Sequence, residues 1–114
     1  MSKPEHHVAT VLLVDDHPLM RKGLRTLLAS ETDLTVIGEA GDGDEALEQV
    51  KALLPDIVVM DISMPNVNGI DATRHILADV PGTRIIALSI HSEKRFVEKM
   101  LEAGTAAYVL KDSA

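Results

Sequence analysis

Five short apolar runs recur along the chain: Val11 to Val14, Leu34 to Ile37, Ile57 to Met60, Ile85 to Leu88 and Ala106 to Leu110. Most are too continuous to be half-exposed antiparallel strands, in which apolar and polar residues alternate, and they read as strands buried on both faces of a parallel sheet. Between them the apolar positions take helical spacing: Leu19, Leu24, Leu27 and Leu28, then Ala46, Leu47, Val50 and Leu54, then Ile70, Thr73, Ile76 and Leu77, and last Phe96, Val97, Met100 and Leu101. Pro18 suits a first helical turn, Asp42 with Glu45 forms a capping box, and Gly104 stands where a left-handed helix end belongs. Five strands alternating with four helices predict an α/β, doubly wound parallel sheet with helices on both faces, because crossovers between parallel strands are right-handed. In such sheets ligands bind at the carboxyl ends of the strands, so function is sought in the residues that follow each run.

No repeat, low-complexity tract or linker interrupts this pattern, which predicts one domain over residues 9–114 behind a flexible tail, residues 1–8. A chain of 114 residues buries roughly two thirds of its unfolded surface, so it needs no staples. The chain has no cysteine, which excludes disulfides, thiolate metal sites and cysteine nucleophiles and fits a reducing compartment. Eleven basic against 18 acidic side chains give a net charge of −7, which argues against direct nucleic-acid binding, since that depends on cations neutralising phosphates. Phe96 and Tyr108 are the aromatics, too few for a base-stacking platform. No apolar run approaches the ~20 residues of a membrane helix, and Met1 to His7 lack the apolar core of a signal peptide. A cytoplasmic location is the expectation.

After the first run stand Asp15, Asp16 and His17; after the third, Asp61, Ile62, Ser63, Met64 and Pro65; after the fourth, Ser89; after the fifth, Lys111. Taken singly these are ordinary caps and turn residues. Strand ends of one parallel sheet converge, however, and carboxylates a few ångströms apart repel by roughly 4 kcal/mol per pair at 4 Å and the effective dielectric of a protein surface. A cation belongs there. Magnesium fits best, as a hard ion that takes oxygen ligands and keeps waters and a substrate phosphate in its shell. Lys111 adds a fixed positive charge and Ser89 a hydroxyl, so that a nucleophilic carboxylate, a divalent ion, a lysine and a hydroxyl make up the equipment of phosphoryl transfer.

The segments Val-Leu-Leu-Val-Asp15-Asp16-His17-Pro18, Ile-Val-Val-Met-Asp61-Ile-Ser63-Met64-Pro65 with Gly69, Ala-Leu-Ser89, and Tyr108-Val-Leu-Lys111-Asp112 resemble, in order and spacing, the receiver domains of bacterial two-component response regulators. Asp-His-Pro after the first run, Arg21-Lys22-Gly23-Leu24 and the ending Tyr-Val-Leu-Lys-Asp are similar to the NarL/FixJ (LuxR-type) class of DNA-binding regulators, with Ala107 where that class often has glycine. The resemblance implies a flavodoxin-like fold with strand order 2-1-3-4-5. It implies that Asp61, at the end of the most continuously apolar run, accepts a phosphoryl group from a sensor histidine kinase. Asp15, Asp16, Asp61 and the Ser63 carbonyl would arrange magnesium, with no nitrogen ligand, Lys111 would contact the phosphoryl oxygens, and Ser89 and Tyr108 would report phosphorylation to the protein surface. The resemblance also implies control of transcription through a C-terminal helix-turn-helix domain and a homodimer on activation, with no membrane partner. The last residues, Lys111 to Ala114, directly follow the fifth run. A fifth helix is therefore expected to be missing, leaving apolar surface around Leu24 and Leu27 and a tendency to self-associate.

Other signals are weaker. Asp42-Gly43-Asp44 lacks the glycine and the closing glutamate of a calcium loop, and Gly38, Gly41 and Gly43 do not spell a dinucleotide fingerprint. His6 and His7 read as tail residues, and His17 and His91 as residues on the rim of the site. The alternative function is an aspartate-nucleophile phosphatase of the haloacid dehalogenase type, which also ends an apolar strand in aspartate and uses magnesium. It should carry Asp-x-Asp, whereas Ser63 stands two residues after Asp61. A flavin-binding module would need phosphate-binding amides after the first run and aromatic rings, where this chain has Asp15 and Asp16.

Overall fold

The chain was analysed as a computed structural model that describes residues 8–61, 69–89, 102 and 104–110. Their order is β1 (Ala9–Val14), α1 (Pro18–Ala29), β2 (Leu34–Ala40), α2 (Gly43–Leu53), β3 (Ile57–Asp61), α3 (Gly69–Asp79), β4 (Arg84–Ser89) and β5 (Ala107–Leu110). The strands form one sheet in the order β2-β1-β3-β4-β5, every neighbouring pair parallel. The expected doubly wound sheet is therefore present. The helical spacing at Phe96, Val97, Met100 and Leu101 falls outside the described residues.

Continuous apolar runs translate into burial on both faces. Val11, Leu12, Leu13 and Val14 of β1 are all buried. Alternation along the strand sends Leu12 and Val14 to the face that also gathers Val58, Met60, Ile85 and Ala87, where Ala46 and Val50 of α2 and Ala72 and Ile76 of α3 close the core. Asp42 caps α2 by accepting the Glu45 amide proton at 2.8 Å, while Glu45 Oε1 accepts from the Gly41 amide. A cap of this kind contributes about 1 kcal/mol. Gly38 permits α2 to approach the sheet, since a Cβ there would lie 2.8 Å from Leu53 Cδ1 and 3.1 Å from Leu12 Cδ1. Gly104, at φ +111°, takes the left-handed conformation expected of it, and a Cβ there would meet Leu77 Cδ1.

Two details of the pattern need correction. The leucines at helical spacing in α1 do not form one core face: Leu24 and Leu28 are half-buried, Leu27 is exposed, in keeping with the apolar surface expected around it, and Leu19, for which no exposure was expected, is 81% exposed. At 3.6 residues per turn Leu24 and Leu28 lie in one row toward the sheet, Leu27 is turned about 100° from Leu28, and Leu19 roughly half a turn. Leu54, the last position of the helical spacing in this segment, is the C-cap of α2 in a left-handed conformation (φ 49°, ψ 57°) and is exposed. Pro55 disfavours a right-handed helical residue before it, so the helix ends one residue short.

Candidate functional site

β1 and β3 are neighbours in the middle of the sheet, with Val14 opposite Met60. The residues that follow in register are Asp15 and Asp61, so both carboxylates emerge side by side at the carboxyl edge. Asp61 is 0% and Asp15 1% exposed, while Asp16 is partly exposed in the turn before α1. Oxygens of all three carboxylates and a ring nitrogen of His17 lie within 4.8 Å of one another. The structure thus brings Asp15, Asp16 and Asp61 together. The three carboxylates offer hard oxygen donors to a divalent cation, and their mutual repulsion at such distances, a few kcal/mol per pair, gives a cation a reason to bind. The donor set therefore fits magnesium.

His17 stands closer to this centre than a rim residue. Its ring is 64% exposed, yet Nδ1 lies 3.1 Å from Asp15 Oδ1 and 2.9 Å from Asp16 Oδ1. Its backbone amide donates to Asp15 Oδ1 at 2.8 Å. The short span from Asp15 to the N-cap of α1 forces this proximity, and the adjacency of the three residues was the signal available for it.

A second group of residues had no sequence signal by type. Arg21, one turn into α1, donates from Nη1 to the Asp15 carbonyl and from Nε to Glu39 Oε1 at 3.0 Å. Arg25 Nε lies 2.8 Å from Glu39 Oε2. Arg21 and Arg25 are four apart on α1, so they face one neighbour on β2, and only the pairing of β1 with β2 reveals that the neighbour is Glu39. Of the other expected site residues, Ser89 ends β4 and Tyr108 is the second residue of β5, opposite Ala87. Ser63 and Lys111 lie outside the described residues.

Residues 11–114 match the response regulator receiver domain family. The chain belongs to that family. Phosphorylation and magnesium binding are general features of receiver domains, and the domain is a signalling module rather than a classical enzyme. The transcriptional regulatory protein DegU of Brevibacillus brevis is 38% identical over 102 residues, covering 90% of this receiver domain and 43% of DegU. The chain spans less than half the length of the curated relatives it matches. Among solved structures, a LuxR-family two-component response regulator from Aurantimonas sp. SI85-9A1 superposes with a TM-score of 0.89 at 42% identity, over 93% of this chain and 76% of that one. A CheX–CheY–BeF3–Mg2+ complex from Borrelia burgdorferi superposes at 0.84 and 30% identity, over 90% of this chain and 78% of that one. The receiver domain is thus of the NarL/LuxR type, and nothing in these likenesses supports the phosphatase alternative. No helix among the described residues is long and apolar enough to cross a membrane.

Proposed function

We propose that this receiver domain takes a phosphoryl group from a sensor histidine kinase onto Asp61 and that the modification controls a DNA-binding output domain. The observation that carries the reading is the fully buried Asp61 carboxylate at the end of a central strand, within 4.8 Å of Asp15 and Asp16 donors. A carboxylate oxygen of Asp61 forms the new bond to phosphorus as the donor's P–N bond breaks, and the electron pair leaves with the donor imidazole. Asp15 and Asp16, with Asp61 and the Ser63 carbonyl, would hold magnesium. When bound, the ion supplies positive charge opposite the phosphoryl oxygens. Lys111 is assigned a second contact to those oxygens. Ser89, at the end of β4, is assigned the hydroxyl that engages them, and Tyr108 on the neighbouring strand the aromatic ring that relays the change. The same chemistry allows self-phosphorylation from small phosphodonors and hydrolytic loss of the group.

Transcription control, cytoplasmic location and a homodimer on activation complete the proposal. For transcription control the support is the naming of longer relatives as transcriptional regulatory proteins. The test is intact-mass spectrometry after incubation with acetyl phosphate. With magnesium, the expected result is one acid-labile phosphoryl group per chain; with EDTA, none. Continuous turnover of a phosphate ester without a stable phosphoprotein would favour the phosphatase reading and overturn this one.

A further inference from the structure

We infer that Arg21 is a positioning residue for the metal-binding turn, clamping the main chain of Asp15 so that mutually repelling carboxylates stay converged. The inference rests on the magnesium site proposed above. The Asp15 amide donates to the Ala40 carbonyl at 3.0 Å, which fixes one side of this residue to β2. Its carbonyl accepts from Arg21 Nη1, which fixes the other side. Arg21 is anchored in turn: Nε donates to Glu39 Oε1 at 3.0 Å, and Glu39, opposite Leu13 in the β1–β2 register, is held through its second oxygen by Arg25. The Arg21 amide also donates to the His17 carbonyl at 3.0 Å, the first hydrogen bond of α1. The His17 end of the turn that carries Asp16 is thus held by a backbone amide that any residue but proline would supply, and the Asp15 end by the Arg21 side chain.

The Asp15 carbonyl belongs to the peptide plane joining Asp15 to Asp16, so its orientation sets where the Asp16 carboxylate points. Asp16 is the outermost of the three carboxylates, and repulsion from Asp15 and Asp61 pushes it toward solvent. A guanidinium that holds this plane against that push keeps the ligands in place before the ion arrives, and preorganised ligands bind more tightly.

Arg21 also carries a positive charge, and charge and clamp act with opposite signs. A cation near the site disfavours a second cation, so removing charge alone tightens magnesium binding, an effect that Glu39 reduces without cancelling, since Arg21 shares its single negative charge with Arg25. Removing the clamp weakens it. Lysine separates the two: its single ammonium keeps the charge but lacks the planar fork that reaches Asp15 and Glu39 together.

The experiment is calorimetric titration of magnesium into the wild-type chain, Arg21→Lys and Arg21→Met, with melting curves in EDTA alongside. The clamp predicts weaker binding in both variants, by about tenfold for loss of a hydrogen bond from a charged donor. A lysine variant that binds like wild type, a methionine variant that binds more tightly, or variants that melt earlier in EDTA at unchanged affinity each overturn it. If Arg21→Met does not fold, Arg21→Lys decides. A wild-type chain that binds no magnesium overturns the proposed site, and the clamp is then read from amide exchange at Asp15 and His17 in EDTA. Faster exchange in Arg21→Lys than in wild type supports the clamp, and equal exchange overturns it.

Discussion

An Asp61→Asn protein takes up no acid-labile phosphoryl group from acetyl phosphate and magnesium, while the wild-type chain is labelled under the same conditions. Asparagine keeps the size of the side chain and the oxygen at the end of β3, so the sheet is undisturbed. It lacks the anionic oxygen that must form the bond to phosphorus. Loss of labelling is therefore complete rather than partial. The variant should also melt no earlier than wild type in EDTA, because one of three converging negative charges is gone. These two readouts separate a lost nucleophile from a lost fold. Undiminished labelling of a folded Asp61→Asn protein would place the acceptor elsewhere and remove the central residue of the proposed function.

Magnesium at a hundredfold excess over its Kd is expected to stabilise the wild-type fold by about 2.7 kcal/mol, because an ion that binds the folded chain alone shifts the equilibrium by mass action. For a domain of this size that is roughly 10 °C in Tm. In Asp16→Ala two effects run in opposite directions. The metal-free protein melts at the wild-type temperature or above, since a like charge has been deleted, but most of the magnesium-dependent increment disappears with the ligand. Thermal melts of both proteins in EDTA and in magnesium resolve the two. An Asp16→Ala protein that keeps the full increment would show that Asp16 is not a ligand, and the site would have to be rebuilt on Asp15 and Asp61.

How far the sequence could be read depends on how each residue is held. Val11 to Val14 and Ile57 to Met60 were legible as buried parallel strands because both faces of a central strand select apolar residues, and with them came the positions of Asp15 and Asp61. That β1 lies between β2 and β3 does not follow from periodicity: the order came from resemblance, and the structure bears it out. Leu19 does not share the half-buried row of Leu24 and Leu28, because leucines at helical spacing mark a stripe without saying how wide a stripe the sheet covers. Leu54 was misplaced because a local constraint from Pro55 outweighed the helical period. The Arg21–Glu39–Arg25 group was invisible for another reason. Its members are unexceptional surface residues on different elements, and only strand pairing brings them together. His17 was legible as a residue on the rim of the site and within reach of it, and its ring is 64% exposed there; that Nδ1 lies against two carboxylates depends on the rotation of that ring.

The adjacency of β1 and β3 also governs when the site can exist as the chain folds. Asp15 follows the first strand and Asp61 ends the third, so the carboxylates meet only once the β1–β3 pairing has closed over the long segment that carries α1, β2 and α2. Contacts between residues so far apart in sequence tend to be completed late, after the loop-closure entropy has been met. A magnesium ion held by these carboxylates would stabilise the native state more than the transition state leading to it. Its stabilisation would therefore reside mainly in a slower unfolding rate, leaving the folding rate to the apolar strands.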